Sequence, residues 1–196
     1  MNLLPYGPRA LLAEFSTLDE VMAAATHWRV AALPGVVEIV PAARSVLVVH
    51  DDTFDAAVLT APVDAAMATE GPLVEMPVVY DGDDLDWVAE QCHLTPAQVV
   101  ELHSSAIYTC AFCGFMPGFS YLVGLPDVLH LPRRATPRTR VPAGSVAIAS
   151  EFTAIYPAES PGGWHLLGTT RLPMWDDARD PAATLPPGTR VRFVPS

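Results

Sequence analysis

Two features in the C-terminal half of the sequence are suited to holding a small anion. Arg133 and Arg138 carry guanidinium groups that can donate paired hydrogen bonds to a carboxylate or a phosphate. The segment Ser160–Gly163 reads Ser-Pro-Gly-Gly, and adjacent glycines let a chain present successive backbone N–H groups to one anion. Taken singly, a glycine pair is more often a turn and an arginine cluster is more often solvated surface. Together they predict an oxyanion or phosphate site.

A third feature is the stretch GFMPGFSYLVGLP, which runs from Gly114 to Pro126. Its three glycines and two prolines disfavour both a regular helix and a flat strand. Its aromatic side chains could simply pack, but beside arginine forks and glycine loops they favour a pocket. The residues predicted to bind substrate or phosphate are Gly114, Pro117, Gly118, Tyr121, Arg133, Arg138, Ser145, Tyr156, Ser160, Pro161, Gly162, Gly163 and Trp164.

No nucleophile and base stand at a diagnostic spacing. Neither Ser145 nor Ser160 has a histidine at such a spacing, although His130 or His165 could approach in the folded chain. We therefore predict no catalytic triad and leave the catalytic residues unknown, with Arg133, Arg138 and His165 as candidates. For His165, a half-exposed strand residue is the more frequent explanation.

The sequence contains no lysine, so all eleven basic residues are arginine. A Walker A loop, a Schiff-base enzyme, a Ser-Ser-Lys amidase and a biotin carrier each require a lysine. The chain itself therefore belongs to none of these classes. Biotin could act here only on a separate protein.

The net charge of −11 is unevenly distributed. Most acidic residues precede Gly114, whereas eight of the eleven arginines follow Cys113. An acidic first half argues against nucleic-acid binding, and an arginine-bearing second half suits a small anionic substrate.

The three cysteines predict reduced thiols rather than a disulfide framework. Cys110 and Cys113 form a C-x-x-C on a predicted strand, where residues three apart point to opposite faces. This spacing argues against a shared metal or a redox pair. Cys92 and His93 are residue types that could complete a zinc site with this pair, but we predict no metal site.

The first part of the chain predicts a ferredoxin-like α+β domain, residues 1–82. The expected order is β-α-β-β-α-β, with a capping box at Thr17 opening a helix to about Ala32. A second helix is expected at 53–60, and its continuation to Ala68 is left open. The segment Pro72–Tyr80 is the predicted last strand.

Two short helices in residues 83–105 are predicted to form a connector; the first begins at about Asp84, and the second is capped by Thr95 with Pro96 in its first turn. Residues 106–196 are predicted to form a small β-barrel or sandwich. In that second domain, short β-branched runs alternate with proline and glycine turns. No apolar run reaches the roughly 20 residues that a membrane helix needs, and the N-terminus has no basic region before a hydrophobic stretch. We expect a cytoplasmic protein that contacts no membrane.

Three motifs in order are similar to those of the KipI family, whose members are also called allophanate hydrolase subunit 1 or the B subunit of bacterial 5-oxoprolinase. They are G-F-x-P-G-F-x-Y-L-x-G-L-P, then P-R-x-x-x-P-R-x-x-V-P-A-G-S-V-A-I-A, then I-Y-P-x-x-S-P-G-G-W-x-L-L-G. The resemblance extends over the whole chain and implies a ferredoxin-like domain followed by a cyclophilin-like β-barrel.

The resemblance also implies an activity. It suggests one component of the ATP-dependent complex that opens 5-oxo-L-proline to L-glutamate. The implied partners are a homologous protein of the KipA type, or allophanate hydrolase subunit 2, and a third protein of the LamB/YcsF type. ATP, with Mg²⁺, would be shared with those partners, and the chain alone would be inactive.

Phosphoryl transfer depends mainly on positioning and charge stabilisation, which leads to a hypothesis for the roles of individual residues. Arg133 and Arg138 would contact the anion, and the Ser160–Gly163 segment would form a nest for an oxyanion or a phosphate. Tyr121 and Tyr156 would orient the substrate.

Two alternatives follow from the same resemblance. One is a KipI-like inhibitor of a sensor histidine kinase, which would bind through an exposed apolar surface. The other is a carboxyltransferase-like domain of a urea carboxylase or allophanate-type system. The site motifs favour a component of an enzyme, because an inhibitor has no evident need for arginine forks beside glycine loops.

Overall fold

The structure of the chain, a computed structural model, describes residues 1–60 and 71–196. The chain divides into two compact units, Met1–Glu70 and Gly71–Ser196. Within the described ranges, no helix is long and apolar enough to cross a membrane.

The described part of the first unit is an antiparallel sheet packed against one helix. Its strands lie in the order β1-β2-β4-β3. Alternate residues of β4 face the helix, so Val46 and Val48 are fully buried with Ala24 and Trp28. The elements are β1 (Asn2–Pro5), β2 (Ala10–Glu14), α1 (Leu18–Val30), β3 (Val36–Pro41) and β4 (Ser45–His50).

The predicted capping box at the start of α1 is confirmed. The backbone N–H of Glu20 donates to Thr17 Oγ1 at 3.3 Å, and the Glu20 carboxylate accepts from the Thr17 N–H at 3.1 Å. Both bonds satisfy N–H groups that the first helical turn leaves without partners. The helix ends at Val30, before Ala32, whose φ is 45°.

The predicted last strand of the first domain is wrong in its placement. Leu73–Val78 forms β5, which pairs in parallel with the C-terminal strand of the second unit over six residues. In the first sheet β1 supplies the edge beside β2 instead. The predicted helix at 53–60 is a 3₁₀ helix, Ala56–Thr60, and its possible extension to Ala68 lies outside the described residues.

The second unit is built on a nearly closed barrel, which confirms the predicted α+β class. Its sheet has the order β12-β9-β10-β7-β6-β13-β5. Val79, next to β5, and Thr169, in β12, exchange hydrogen bonds of 2.9 and 2.7 Å, so the two edges meet. The strands after β5 are β6 (Tyr108–Cys113), β7 (Ser120–Val123), β8 (Arg138–Val141), β9 (Ser145–Ala149), β10 (Phe152–Ile155), β11 (Ser160–Gly162), β12 (His165–Thr169) and β13 (Arg190–Pro195).

Strands β8 and β11 form a separate two-stranded arm. The helices α2 (Leu85–Gln91) and α3 (Pro96–Ser105) contact β12 and β13 respectively. As predicted, Thr95 caps α3 and Pro96 occupies its first turn, where a missing N–H costs nothing.

His103, on the last turn of α3, is fully buried in the core of the second unit. Thr153 Oγ1 donates to the Ala147 carbonyl, so it accepts from His103 Nε2 at 3.0 Å. The other ring nitrogen, Nδ1, then accepts from the Tyr80 hydroxyl at 2.8 Å. A neutral imidazole satisfies both bonds, and burial lowers the pKa of His103 to about 3.

This lowered pKa predicts a specific dependence of stability on pH. Below pH 6.5 the unfolded chain binds a proton at His103, whereas the folded chain does not until about pH 3. In that window His103 should therefore lower the free energy of unfolding by about 1.4 kcal/mol per pH unit as the pH falls.

The free energy of unfolding, measured by urea denaturation at several pH values between these limits, should depend less steeply on pH for His103→Gln than for the natural chain. An NMR titration of His103 in the folded protein provides a second measurement. Identical slopes, or a ring that titrates near its ordinary pKa, would contradict the prediction.

Candidate functional site

A buried carboxylate organises the region that the sequence motifs single out. The side chain of Asp84, directly before α2, is 5% exposed. Its Oδ1 accepts from Arg134 Nη1 at 2.7 Å and from Arg138 Nη2 at 2.9 Å. Its Oδ2 accepts from Arg138 Nη1 and from the Leu166 backbone N–H, both at 2.8 Å. Asp84 therefore joins α2, the β8 arm and β12.

Burial alone would raise the pKa of Asp84. The hydrogen bonds from Arg138 and the Leu166 N–H, together with both arginine charges, outweigh burial and hold the pKa below its ordinary value. The adjacent backbone is close enough because Gly82 has no side chain: a Cβ there would lie 2.3 Å from the Leu166 carbonyl oxygen. The carboxylate is thus ionised and held against β12 at neutral pH.

Sequence reasoning missed Asp84 and Arg134, and it gave Arg138 a different setting. In sequence, Asp84 stands only at the start of a predicted connector helix, and nothing local indicates that it is buried. The sequence predicts that Arg138 contacts an anion. In the structure its guanidinium donates two hydrogen bonds to Asp84, and its side chain is 20% exposed. The anion that Arg138 binds within the chain is this carboxylate.

Arg133 has a different environment from its neighbour Arg134. It is exposed, and it forms no ion pair with the residues that the structure describes. Its charge lies near Tyr121 and Tyr156, where it opposes the rise in pKa that burial imposes on both phenols. The guanidinium of Arg133 is therefore available to bind an anionic ligand at the predicted site.

A cavity of about 430 Å³ lies beside this arginine. On one side, the indole of Trp87 stacks on the imidazole of His165 with ring centroids 4.5 Å apart. The size and mixed lining are suited to a small polar ligand. The lining residues are Trp87, Pro132, Arg133, Arg134, Ala135, Thr136 and His165.

His165 is held in one neutral form. Its Nε2 lies 2.8 Å from the Pro132 carbonyl, which can only accept, so Nε2 carries the proton. Burial lowers the pKa of His165, although the bond to Pro132 and the charge of Asp84 oppose this shift. The remaining nitrogen, Nδ1, is buried without a hydrogen-bond partner among the described residues.

The predicted aromatic residues form one packed cluster around Phe119. Its ring lies 5.1 to 5.5 Å from those of Tyr121, Tyr156 and Trp164, edge to face. Tyr156 and Trp164 are 1% and 5% exposed. These two side chains are packing residues inside the fold, and Tyr121 is the more accessible of the two tyrosines.

The predicted glycine nest is part of the β8–β11 arm. Gly162 allows Tyr156 to approach, since a Cβ there would lie 2.3 Å from the phenol oxygen. The Gly163 carbonyl accepts from the Arg134 N–H at 2.8 Å. Ser160 Oγ is buried without a hydrogen-bond partner among the described residues, whereas Ser145 is buried in β9, where its carbonyl binds the Tyr156 N–H.

The segment from Gly114 to Phe119 is the turn between β6 and β7. At Gly118 the chain has a φ of +80° and a Cβ would lie 2.8 Å from the Met174 carbonyl oxygen, so glycine is required there. Pro117 is exposed on this turn. Phe115, which is not among the predicted binding residues, has a φ of 69° and is 61% exposed, and its ring contacts Phe119 edge to face.

The prediction that Cys110 and Cys113 point to opposite faces is wrong. Ala111 is an extra residue in β6, so Cys110 pairs with Leu122 and Cys113 pairs with Ser120. Those partners are two residues apart and share a face, which brings the two sulfurs within 4.0 Å. Among residues 1–60 and 71–196, no group of three or more His, Cys, Asp or Glu could hold a metal ion.

The family is shown by comparison with known proteins. Residues 1–185 match the family described as carboxyltransferase domain, subdomain C and D, and the chain belongs to it. Within that class, the chain is 44% identical to the 5-oxoprolinase B subunit of Escherichia coli O157:H7, covering 86% of this chain and 84% of the relative. For the 5-oxoprolinase B subunit of Haemophilus influenzae the identity is 47%, covering 64% and 60%. The family resemblance carried by the motifs is confirmed.

The fold is also found in solved structures. TTHA0988 is 36% identical with a TM-score of 0.81, covering 96% of this chain and 40% of that chain. The Kluyveromyces lactis urea carboxylase, at 20% identity and a TM-score of 0.71, shows the fold alone, covering 100% of this chain and 23% of that chain. This chain therefore spans well under half of either solved chain.

The network around Asp84 predicts a large, specific effect of removing its charge. Asp84→Asn would leave Arg134 and Arg138 without their shared counterion, and we expect the free energy of unfolding to fall by about 3 kcal/mol. Asp83→Asn is a matched control, because Asp83 is 79% exposed and lies 3.9 Å from Arg138. Urea denaturation of both variants is the measurement, and equal stabilities would contradict the network's importance.

Proposed function

We propose that this chain is the B subunit of an ATP-dependent 5-oxoprolinase, which converts 5-oxo-L-proline, ATP and water to L-glutamate, ADP and phosphate. The observation that carries the proposal is its 44% identity to a protein named as that component of 5-oxoprolinase, of which it covers 84%. The KipA-type and LamB/YcsF-type proteins implied by the family resemblance are its proposed partners. Its proposed site is the cavity beside Arg133.

The chemistry of the substrate fits that cavity. 5-Oxo-L-proline is a small lactam that carries one carboxylate, and the exposed guanidinium of Arg133 is able to bind it with paired hydrogen bonds. Arg138 already donates two hydrogen bonds to Asp84, so Arg133 is the better candidate for the substrate carboxylate. Asp84 would fix Arg134, and with it the cavity wall next to Arg133.

The ring of His165, stacked on Trp87, also lines the cavity. In its neutral form His165 could accept a proton only at Nδ1, which is buried. We therefore assign His165 to shaping the cavity rather than to proton transfer. Tyr121 is proposed to help orient the substrate, since its phenol lies near Arg133.

ATP and Mg²⁺ are proposed to bind with contributions from the partner proteins. A lactam is a stabilised amide, and ATP would activate its carbonyl for attack by water. The chain has no lysine, and among the described residues no group of three or more His, Cys, Asp or Glu could hold a metal ion. We assign no step involving ATP or Mg²⁺ to residues of this chain. The isolated chain is expected to be inactive.

The first test is reconstitution with one component left out at a time. The full mixture of this chain, its KipA-type and LamB/YcsF-type partners, ATP and Mg²⁺ should release glutamate from 5-oxoproline, and omission of this chain should abolish that release. Glutamate from the mixture without this chain would contradict the proposal. No activity in a complete, properly assembled mixture would do the same and favour kinase regulation or a carboxyltransferase-like role.

The second test concerns Arg133. Arg133→Ala should raise the KM for 5-oxoproline about tenfold or more, the loss expected for one charged hydrogen-bonding partner, with a smaller change in kcat. Arg140→Ala, on β8, is the matched control, because Arg140 is 73% exposed and pairs with Glu159. An unchanged KM in Arg133→Ala would remove the assignment while leaving the proposed membership of the complex to the reconstitution.

A further inference from the structure

Outside the candidate site, the described residues contain a close pair of thiols. Cys110 Sγ and Cys113 Sγ lie 4.0 Å apart on β6. The bulge at Ala111 creates this pair, because without it two strand residues three apart would face opposite sides. We propose that Cys110 and Cys113 are a redox-active dithiol, a site where a two-electron oxidant such as a peroxide forms a reversible intramolecular disulfide.

The surroundings of the two sulfurs give them different roles. Cys110 is fully buried, whereas Cys113 is half-buried and so is the one that meets an oxidant from solution. A disulfide needs sulfurs about 2 Å apart, so the pair must close by about 2 Å. Rotation of the Cys113 side chain toward Cys110 supplies that movement without breaking the strand pairing.

The reaction balances with one equivalent of peroxide. The Cys113 thiolate attacks one peroxide oxygen, an S–O bond forms, the O–O bond breaks and hydroxide leaves. The Cys110 thiolate then displaces hydroxide from the Cys113 sulfur, which forms the S–S bond and breaks the S–O bond. The two thiol protons end on the two hydroxides, giving two water molecules in all.

The pair lies directly beside the turn that begins at Gly114. Cys113 Sγ donates weakly to the Leu185 carbonyl at 3.6 Å, and the Ser120 hydroxyl donates to the same oxygen at 2.7 Å. These bonds link the base of the β6–β7 turn to the segment before β13. Disulfide formation draws the Cys113 sulfur away from Leu185, so oxidation acts at the base of the Gly114–Phe119 turn.

The third cysteine provides an internal control. Cys92, which follows α2, is also half-buried, and burial raises the pKa of its thiol, which slows its reaction as a thiolate. Among the described residues, the recorded sulfur–sulfur contact is between Cys110 and Cys113 and does not include Cys92. Non-specific oxidation of thiols would modify Cys92 as well. Oxidation confined to the proposed site would leave Cys92 reduced.

The test uses the full chain, oxidised with an equimolar amount of hydrogen peroxide and then alkylated after unfolding. Mass spectrometry of the peptides should show Cys92 alkylated and the peptide with Cys110 and Cys113 lighter by two hydrogens, with both thiols restored by dithiothreitol. Phenylarsine oxide, which bridges two neighbouring thiols, should protect the same two cysteines in the reduced, folded chain.

Cys110→Ser should abolish both the disulfide and the arsenical protection while leaving Cys113 open to alkylation. Near-ultraviolet circular dichroism should change on oxidation of the natural chain, because the aromatic turn follows Cys113, and should not change in this variant. Three alkylated thiols after oxidation, preferential reaction of Cys92, or disulfides only between chains would overturn the proposal. Those measurements on the natural chain decide it even if the variant fails to fold.

Discussion

The ionised carboxylate of Asp84 is the interaction on which the candidate site depends. It is buried, and a buried charge is tolerated only when its hydrogen-bonding capacity is met and its charge is balanced. Two arginines and one backbone N–H meet that requirement from three different segments of the chain. The need to satisfy one anion thus brings α2, the β8 arm and β12 together.

This arrangement separates three arginines of similar sequence setting into different roles. Arg134 and Arg138 both pair with Asp84, and Arg138 also lies 3.9 Å from the exposed Asp83. Arg133 lies near both Tyr121 and Tyr156 and forms no ion pair with a described residue. A cavity beside an arginine that pairs with no described carboxylate is suited to a ligand with one negative charge, and the proposed substrate carries one.

The barrel supplies the rigid frame for these side chains. Its edges meet where Val79 and Thr169 exchange hydrogen bonds, close to Gly82 and Asp84 along the chain. Close contact is possible there because Gly82 and Gly168 lack side chains that would collide with opposing backbone. The closure of the barrel and the placement of Asp84 therefore depend on the same stretch of chain.

The sequence by itself determined the local elements and the family. The capping boxes at Thr17 and Thr95, the β-branched strands of the barrel and the three long motifs are set by neighbouring residues, and each could be predicted because the interactions involved are short-range. Only the tertiary structure decided that β5 joins the barrel, that the extra residue Ala111 places two cysteines on one face and that Arg138 donates its hydrogen bonds to Asp84. Each of these results depends on a partner far away in sequence or on a one-residue shift in strand register, and neither is encoded in local composition or spacing.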